Sequence, residues 1–124
     1  MVRHVVVAVL LFASTFCGDA EASIIKAKEL QRLCMNIEKG KLGESFDESA
    51  AATCRGYLAG FFDTMIILEE VRKTRYFCVP DAIPKESNTR ILDAWVASNG
   101  ELANDTTAAV AMLSAYQKAF KCKK

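Results

Sequence analysis

Residues 45–71 read SFDESAAATCRGYLAGFFDTMIILEEV, and this stretch decides the fold. Cys54, Tyr57, Leu58, Phe61, Met65 and Leu68 recur at spacings of three and four, the period of one helix face. A strand would alternate every second residue and would be far shorter. Ser45 and Glu48 have the spacing of a capping box, which places the helix start there. The helix is expected to run to about Val71, and Phe62 and Ile66 widen its apolar face, so it is expected to be the most buried one. Ala52, Gly56 and Gly60 add a stripe of small residues. Glycine inside a helix costs about 1 kcal/mol relative to alanine, so two of them ask for a close neighbour. That neighbour is either another helix of the same chain or a second copy in a homodimer.

Upstream, Ile25, Leu30, Leu33, Cys34 and Ile37 share a face of a helix over about 23–39, ended by Gly40 and Gly43. Downstream, residues 72–77 (Arg-Lys-Thr-Arg-Tyr-Phe) make a basic, aromatic loop. Pro80 and Pro84 then bar a regular helix between them. Ser87 caps a third helix that runs to about Ser98, anchored by Ile91, Leu92, Trp95 and Val96 and stopped by Asn99 and Gly100. Asn104 or Asp105 caps a fourth, which runs to about Phe120 with Val110, Leu113, Tyr116 and Phe120 inward. No segment reads as a strand, a repeat or low complexity. The expected fold is all-α: a compact bundle of about four helices, mostly antiparallel because the connections are short.

Five cysteines punctuate the chain at 17, 34, 54, 78 and 122. Cys17 lies in a segment that reads as a secretory signal: a basic start with Arg3 and His4, an apolar run over 5–16, and an A-x-A-like site at Ala20 and Ala22. The run is too short for a membrane span of roughly 20 residues. Cleavage is expected after Ala22, with Ala20 the second choice. A lipoprotein reading of Cys17 is disfavoured by the bulky Phe16 before it. The chain thus divides into a signal peptide, 1–22, and one helical domain, 23–124, with no stable membrane insertion once the signal is removed. Removing Cys17 leaves an even count, which in a small exported chain reads as two disulfides and an oxidising compartment. Four cysteines allow three connectivities. The favoured one pairs Cys34 with Cys54, on two helices joined by a short connector, and Cys78 with Cys122. Chain entropy makes such bridges worth about 3 and about 4 kcal/mol.

The only histidine is His4, so the expected mature domain has no imidazole for Ser-His or Cys-His catalysis or for a metal site. The cysteines include no C-x-x-C pair, which argues against zinc and against thiol oxidoreduction. Glu69 and Glu70 are adjacent and point about 100° apart on a helix, so with Asp63 they read as a solvated edge near Arg72 and Lys73. A net charge of +1 does not call for nucleic acid. The basic tail, Lys118, Lys121, Lys123 and Lys124, reads as a solvated helix end. No enzyme, cofactor or metal is expected, and by subtraction the chain reads as a binding protein.

The order of motifs adds a resemblance. Cys54-Arg55-Gly56-Tyr57-Leu58-Ala59-Gly60 resembles the C-x-x-Y-[ILV]-x-G signature of the Rap/Tai family of immunity proteins. Cys78-Val79-Pro80 resembles that family's C-[IV]-P step, the segment around Trp95 falls where its next amphipathic helix lies, and Cys122 matches its terminal cysteine. Cys54, Gly56, Tyr57, Gly60, Cys78, Pro80, Trp95 and Cys122 would then be structural motif positions. Phe120-Lys121-Cys122 departs from the family's Phe-Pro-Cys, and lysine would let the last helix run closer to the cysteine. The resemblance implies a periplasmic antidote that binds and occludes a peptidoglycan-cutting amidase delivered by type VI secretion, and it implies dimers.

Arg72, Lys73, Arg75 and Tyr76 of the basic loop, with Asp81 just beyond, are the candidate partner-binding residues, because Arg and Tyr anchor interfaces. Residues 80–87 are the second candidate. The competing readings are a periplasmic helical chaperone or stress protein, and an envelope accessory domain of the same fold with no toxin partner.

Overall fold

Leu30 and Cys34 repeat one helical turn apart and are both buried, and they carry the helix around which the others pack. In the computed structural model of the protein, residues 24–81 and 87–123 are described. Among the described residues five helices follow one another: α1 (Ala27–Lys41), α2 (Glu48–Arg72), α3 (Ser87–Asn99), α4 (Leu102–Asp105) and α5 (Ala108–Ala119). The fold is all-α, and α1 touches each of the other four helices. The expected signal peptide with Cys17, and Pro84 in the loop before α3, lie outside the described residues. Among the described residues no helix is long and apolar enough to cross a membrane.

The helix starts differ from expectation, for reasons that lie in where the first N–H groups find partners. Asp47, not Ser45, caps α2: its carboxylate accepts the Ala50 N–H at 3.1 Å. Its negative charge also suits the helix N-terminus. Asn36 on α1 fixes this cap by accepting the Asp47 N–H at 3.0 Å. Neither Asn104 nor Asp105 caps the last helix; both fall in the unanticipated short α4. Instead α1 and α5 cap each other, the Ala108 N–H donating to the Ile25 carbonyl at 2.8 Å and the Ala27 N–H to that of Thr106 at 2.9 Å. Thr107 stands as N-cap without any side-chain bond.

The core joins Leu30, Cys54, Leu58, Phe61, Met65, Phe77, Leu92, Val96, Met112 and Tyr116. Leu92 and Val96 are buried and Ile91 and Trp95 half-buried, as the third helix's anchors should be. Two inward assignments are corrected. On α5 the inner face is Ala108, Ala111, Met112, Ala115 and Tyr116, while Val110 is 55 % exposed. On α2, Ile66 is 61 % exposed, because nothing covers that side of the helix. Small alanines on α5 let it sit close to α1, and a face set by valine would have held it further off.

Tyr116 is fully buried at the meeting point of several elements. Its ring lies 5.2 Å from those of Phe62 and Phe77, 5.7 Å from Phe120 and 6.2 Å from Phe61. Its hydroxyl donates to the Asn88 side-chain carbonyl on α3. Burial pushes its phenol well above the usual tyrosine range. Both favoured disulfides are formed, Cys34–Cys54 between α1 and α2 and Cys78–Cys122 between the loop after α2 and the C-terminus. The Cys78 N–H also donates to the Phe120 carbonyl at 2.9 Å. Phe120 has left helical geometry, so α5 stops at Ala119 and Lys121 does not prolong it toward Cys122.

Bridges closing separations of 20 and 44 residues differ in chain entropy, so the second is the more valuable. Urea unfolding should find Cys78→Ser with Cys122→Ser destabilised by about 4 kcal/mol and Cys34→Ser with Cys54→Ser by about 3 kcal/mol. Equal, small losses would show that neither loop is opened by reduction. Alkaline titration is a second check. The folded protein holds the Tyr116 proton after the unfolded chain has lost its own, so stability falls as pH rises above about 10. Tyr116→Phe should flatten that fall; an unchanged slope would contradict the buried phenol.

Candidate functional site

Ala52, Gly56, Ala59, Gly60, Asp63, Ile66, Ile67, Glu70 and Val71 fall on one face of α2, and all are exposed. From Ala52 to Val71 this face runs about 28 Å along the helix. Its first half is small: a Cβ built on Gly56 or Gly60 would meet nothing within 4 Å. The reading of these glycines as packed against another helix of the same chain is therefore corrected. Its second half is apolar, with Ile66 and Ile67 each 61 % and Val71 73 % exposed.

The helix ends in a bend that sets the basic loop beside this apolar patch. Lys73 caps α2 in the left-handed region at φ 55°, its N–H donating to the Glu69 carbonyl at 2.8 Å. A side chain there costs roughly 1 kcal/mol or more, which the anchored loop must overcome. Phe77 supplies the anchor: it is buried and stacks on Phe61 with centroids 6.5 Å apart. Between α2 and the loop lies a cleft of about 330 Å³, lined by Phe62, Met65, Ile66 and Val79, with Glu69, Arg75 and Asp81 as its charged residues.

Of the predicted partner-binding residues, Arg72, Lys73, Arg75 and Asp81 are exposed, and Arg75 and Asp81 line this cleft. Tyr76 is not free: it is half-buried and packs on the core. Lys73 pairs with Glu70 at 3.3 Å, but both side chains are well exposed, so water and salt screen the pair. Arg72 and Arg75 form no ion pair among the described residues. The residues the sequence reading missed are Ile66, Ile67, Val71 and Val79. A signal was present: Met65-Ile66-Ile67-Leu68 is apolar on every side of the helix, more than one buried face can absorb. Of the motif positions, Cys54 is buried, Tyr57 and Trp95 are half-buried, and Pro80 and Cys122 are exposed. Burial raises the Tyr57 phenol.

An exposed apolar patch whose cleft is lined by Glu69, Arg75 and Asp81 has the anatomy of a recognition surface. Fold and surface together define a class: a small disulfide-stapled helical bundle whose longest helix leaves an apolar face uncovered. Residues 26–122 match the family model for Rap1a immunity proteins, and the chain belongs to that family. No curated protein and no solved structure matches it.

Gly56 and Gly60 face open space in helical geometry, so alanine should fit without displacement. Gly56→Ala and Gly60→Ala should each raise monomer stability by about 1 kcal/mol in urea unfolding. A loss of stability would mean that these positions are crowded within the monomer after all.

Proposed function

We propose that this protein is a periplasmic antidote which binds and occludes a peptidoglycan amidase delivered by type VI secretion. Family membership across 26–122 supports an immunity protein for a secreted toxin. The observation that carries the binding surface is the uncovered patch of Ile66, Ile67, Val71 and Val79 beside the cationic loop. Apolar side chains at that exposure are held out of the core at a cost, and a partner would bury them. Arg72 and Arg75 give the rim charge that steers an acidic partner and fixes its register. Two disulfides suit an oxidising compartment and keep the surface preorganised, which lowers the ordering cost of tight binding. Protection needs only coverage of the toxin's active site, so no catalysis by this chain is invoked.

A homodimer is the second reading, and a specific observation favours it. Gly56 and Gly60 would let the α2 of a second copy approach closely, and among the described residues nothing fills that space. In this arrangement the small half of the α2 face joins the copies, and the apolar half with the loop meets the toxin.

The test is binding and inhibition of the amidase secreted by the protein's own host. The protein should form a stoichiometric complex and stop peptidoglycan cleavage. Ile67→Asp and Arg75→Glu should each weaken the complex at least about 30-fold, roughly 2 kcal/mol, with the thermal midpoint preserved. A toxin that binds both variants as tightly as the parent would move the interface elsewhere. The absence of any complex would leave the accessory-domain or chaperone reading.

A further inference from the structure

A second concavity lies away from α2, in the outer seam between α3 and α5. It is a trough of about 870 Å³ walled by Ile91, Ala94 and Trp95 from α3 and by Ala119 and Phe120 at the end of α5. Among the described residues Arg90 and Lys118 are its charged lining residues, and no carboxylate lines it. The Tyr116–Asn88 bond sets the last turns of α5 beside the first turn of α3. The two helices therefore run antiparallel, and both cations lie toward one end of the trough. Ser98 and Asn99 lie toward the other end, about 14 Å away along α3. Their donors are engaged on their own helix, Ser98 to the Ala94 carbonyl at 2.8 Å and Asn99 to the Trp95 carbonyl at 2.7 Å. Arg90 and Lys118 form no ion pair among the described residues. Glu38 on α1 is within electrostatic reach of Arg90, but its bonds to Lys41 and Thr89 dominate its surroundings.

We propose that this trough binds a single-chain anionic amphiphile, its carboxylate or phosphate head on Arg90 and Lys118 and its alkyl chain along Ile91, Ala94 and Trp95. The volume falls inside the roughly 300–1,000 Å³ typical of small-ligand sites. A hydrocarbon wall with two cations at one end, neither in an ion pair among the described residues, matches a molecule with a long apolar tail and one terminal anion. The polar groups at the far end, already bonded, ask for no second head. This site is independent of the toxin surface on α2 and stands or falls without it.

Trp95 is the only tryptophan, so its emission reports on the trough directly. The purified, disulfide-bonded protein would be titrated below micelle concentrations with sodium dodecanoate, dodecyl phosphate, dodecanol, inorganic phosphate and an oligoglutamate peptide. At least one anionic amphiphile should give a saturable, one-to-one change, and comparison of the two identifies the preferred head. Dodecanol should bind at least about tenfold more weakly, and phosphate and the peptide should leave Trp95 unchanged. The double variant Arg90→Gln, Lys118→Gln should lose at least about tenfold in affinity for the anions alone, while Ala94→Leu, which fills the trough, should weaken every amphiphile. Both sets of side chains are exposed, so circular dichroism should be unaltered. The proposal is overturned by no saturable change, by equal affinity for dodecanol, by an unaffected double variant, or by a response to oligoglutamate that the amphiphiles do not give.

Discussion

Among the described residues Tyr116 makes more ring contacts than any other side chain: Phe61 and Phe62 of α2, Phe77 of the loop and Phe120 at its own C-terminal end, with Asn88 of α3 on its hydroxyl. The elements it joins have little means of standing alone. Helix α5 has 12 residues, short for an isolated helix in water, and residues 73–81 have no regular structure. The Cys78–Cys122 bridge and the Cys78–Phe120 backbone bond close the same junction covalently and by hydrogen bonding. Ring packing, one buried hydroxyl bond and a disulfide together hold an irregular segment in one place. In a domain of this size that is a large part of net stability.

The proposed binding surface depends on that junction. Because Phe77 is anchored inside, the residues around it point outward in fixed directions, with Arg75 and Val79 on the cleft and Tyr76 against the core. Helix α2 contributes the rest by being longer than the bundle that covers it. One side packs on α1 and the aromatic cluster, and the other leaves a strip that is small at its start and apolar at its end. A rigid apolar strip beside a rigid basic loop is the form an occluding protein needs, since little ordering remains to be done on binding.

Much of the fold was legible because helix periodicity is a local property. The inner faces of α1, α2 and α3 followed from residues such as Leu30, Cys34, Leu58, Phe61, Leu92 and Val96, and the short connector made Cys34–Cys54 a natural pair. What was not legible depends on tertiary partners. Ala108 is capped by a carbonyl from the far end of the chain, at Ile25, which no local cap pattern can reveal. Ser45 and Glu48 had the correct spacing for a capping box, but Asn36 on another helix fixed Asp47 as the cap instead. Ile66 read as core because periodicity says which residues share a face, not whether a neighbour exists to cover it. For the same reason the small stripe at Gly56 and Gly60 was visible as a contact surface, but its openness was not. The loop residues Arg72, Lys73 and Arg75 were legible as candidates by residue type, and the structure shows them exposed; the exposed apolar patch near them was hidden in a run that looked uniformly buried.

The most direct test of the account is a hydrogen-exchange footprint of the protein with and without its cognate toxin. The account predicts that protection on binding concentrates in residues 66–81, with the α3–α5 seam unchanged. Protection confined to α3 and α5, with residues 66–81 exchanging as in the free protein, would contradict it.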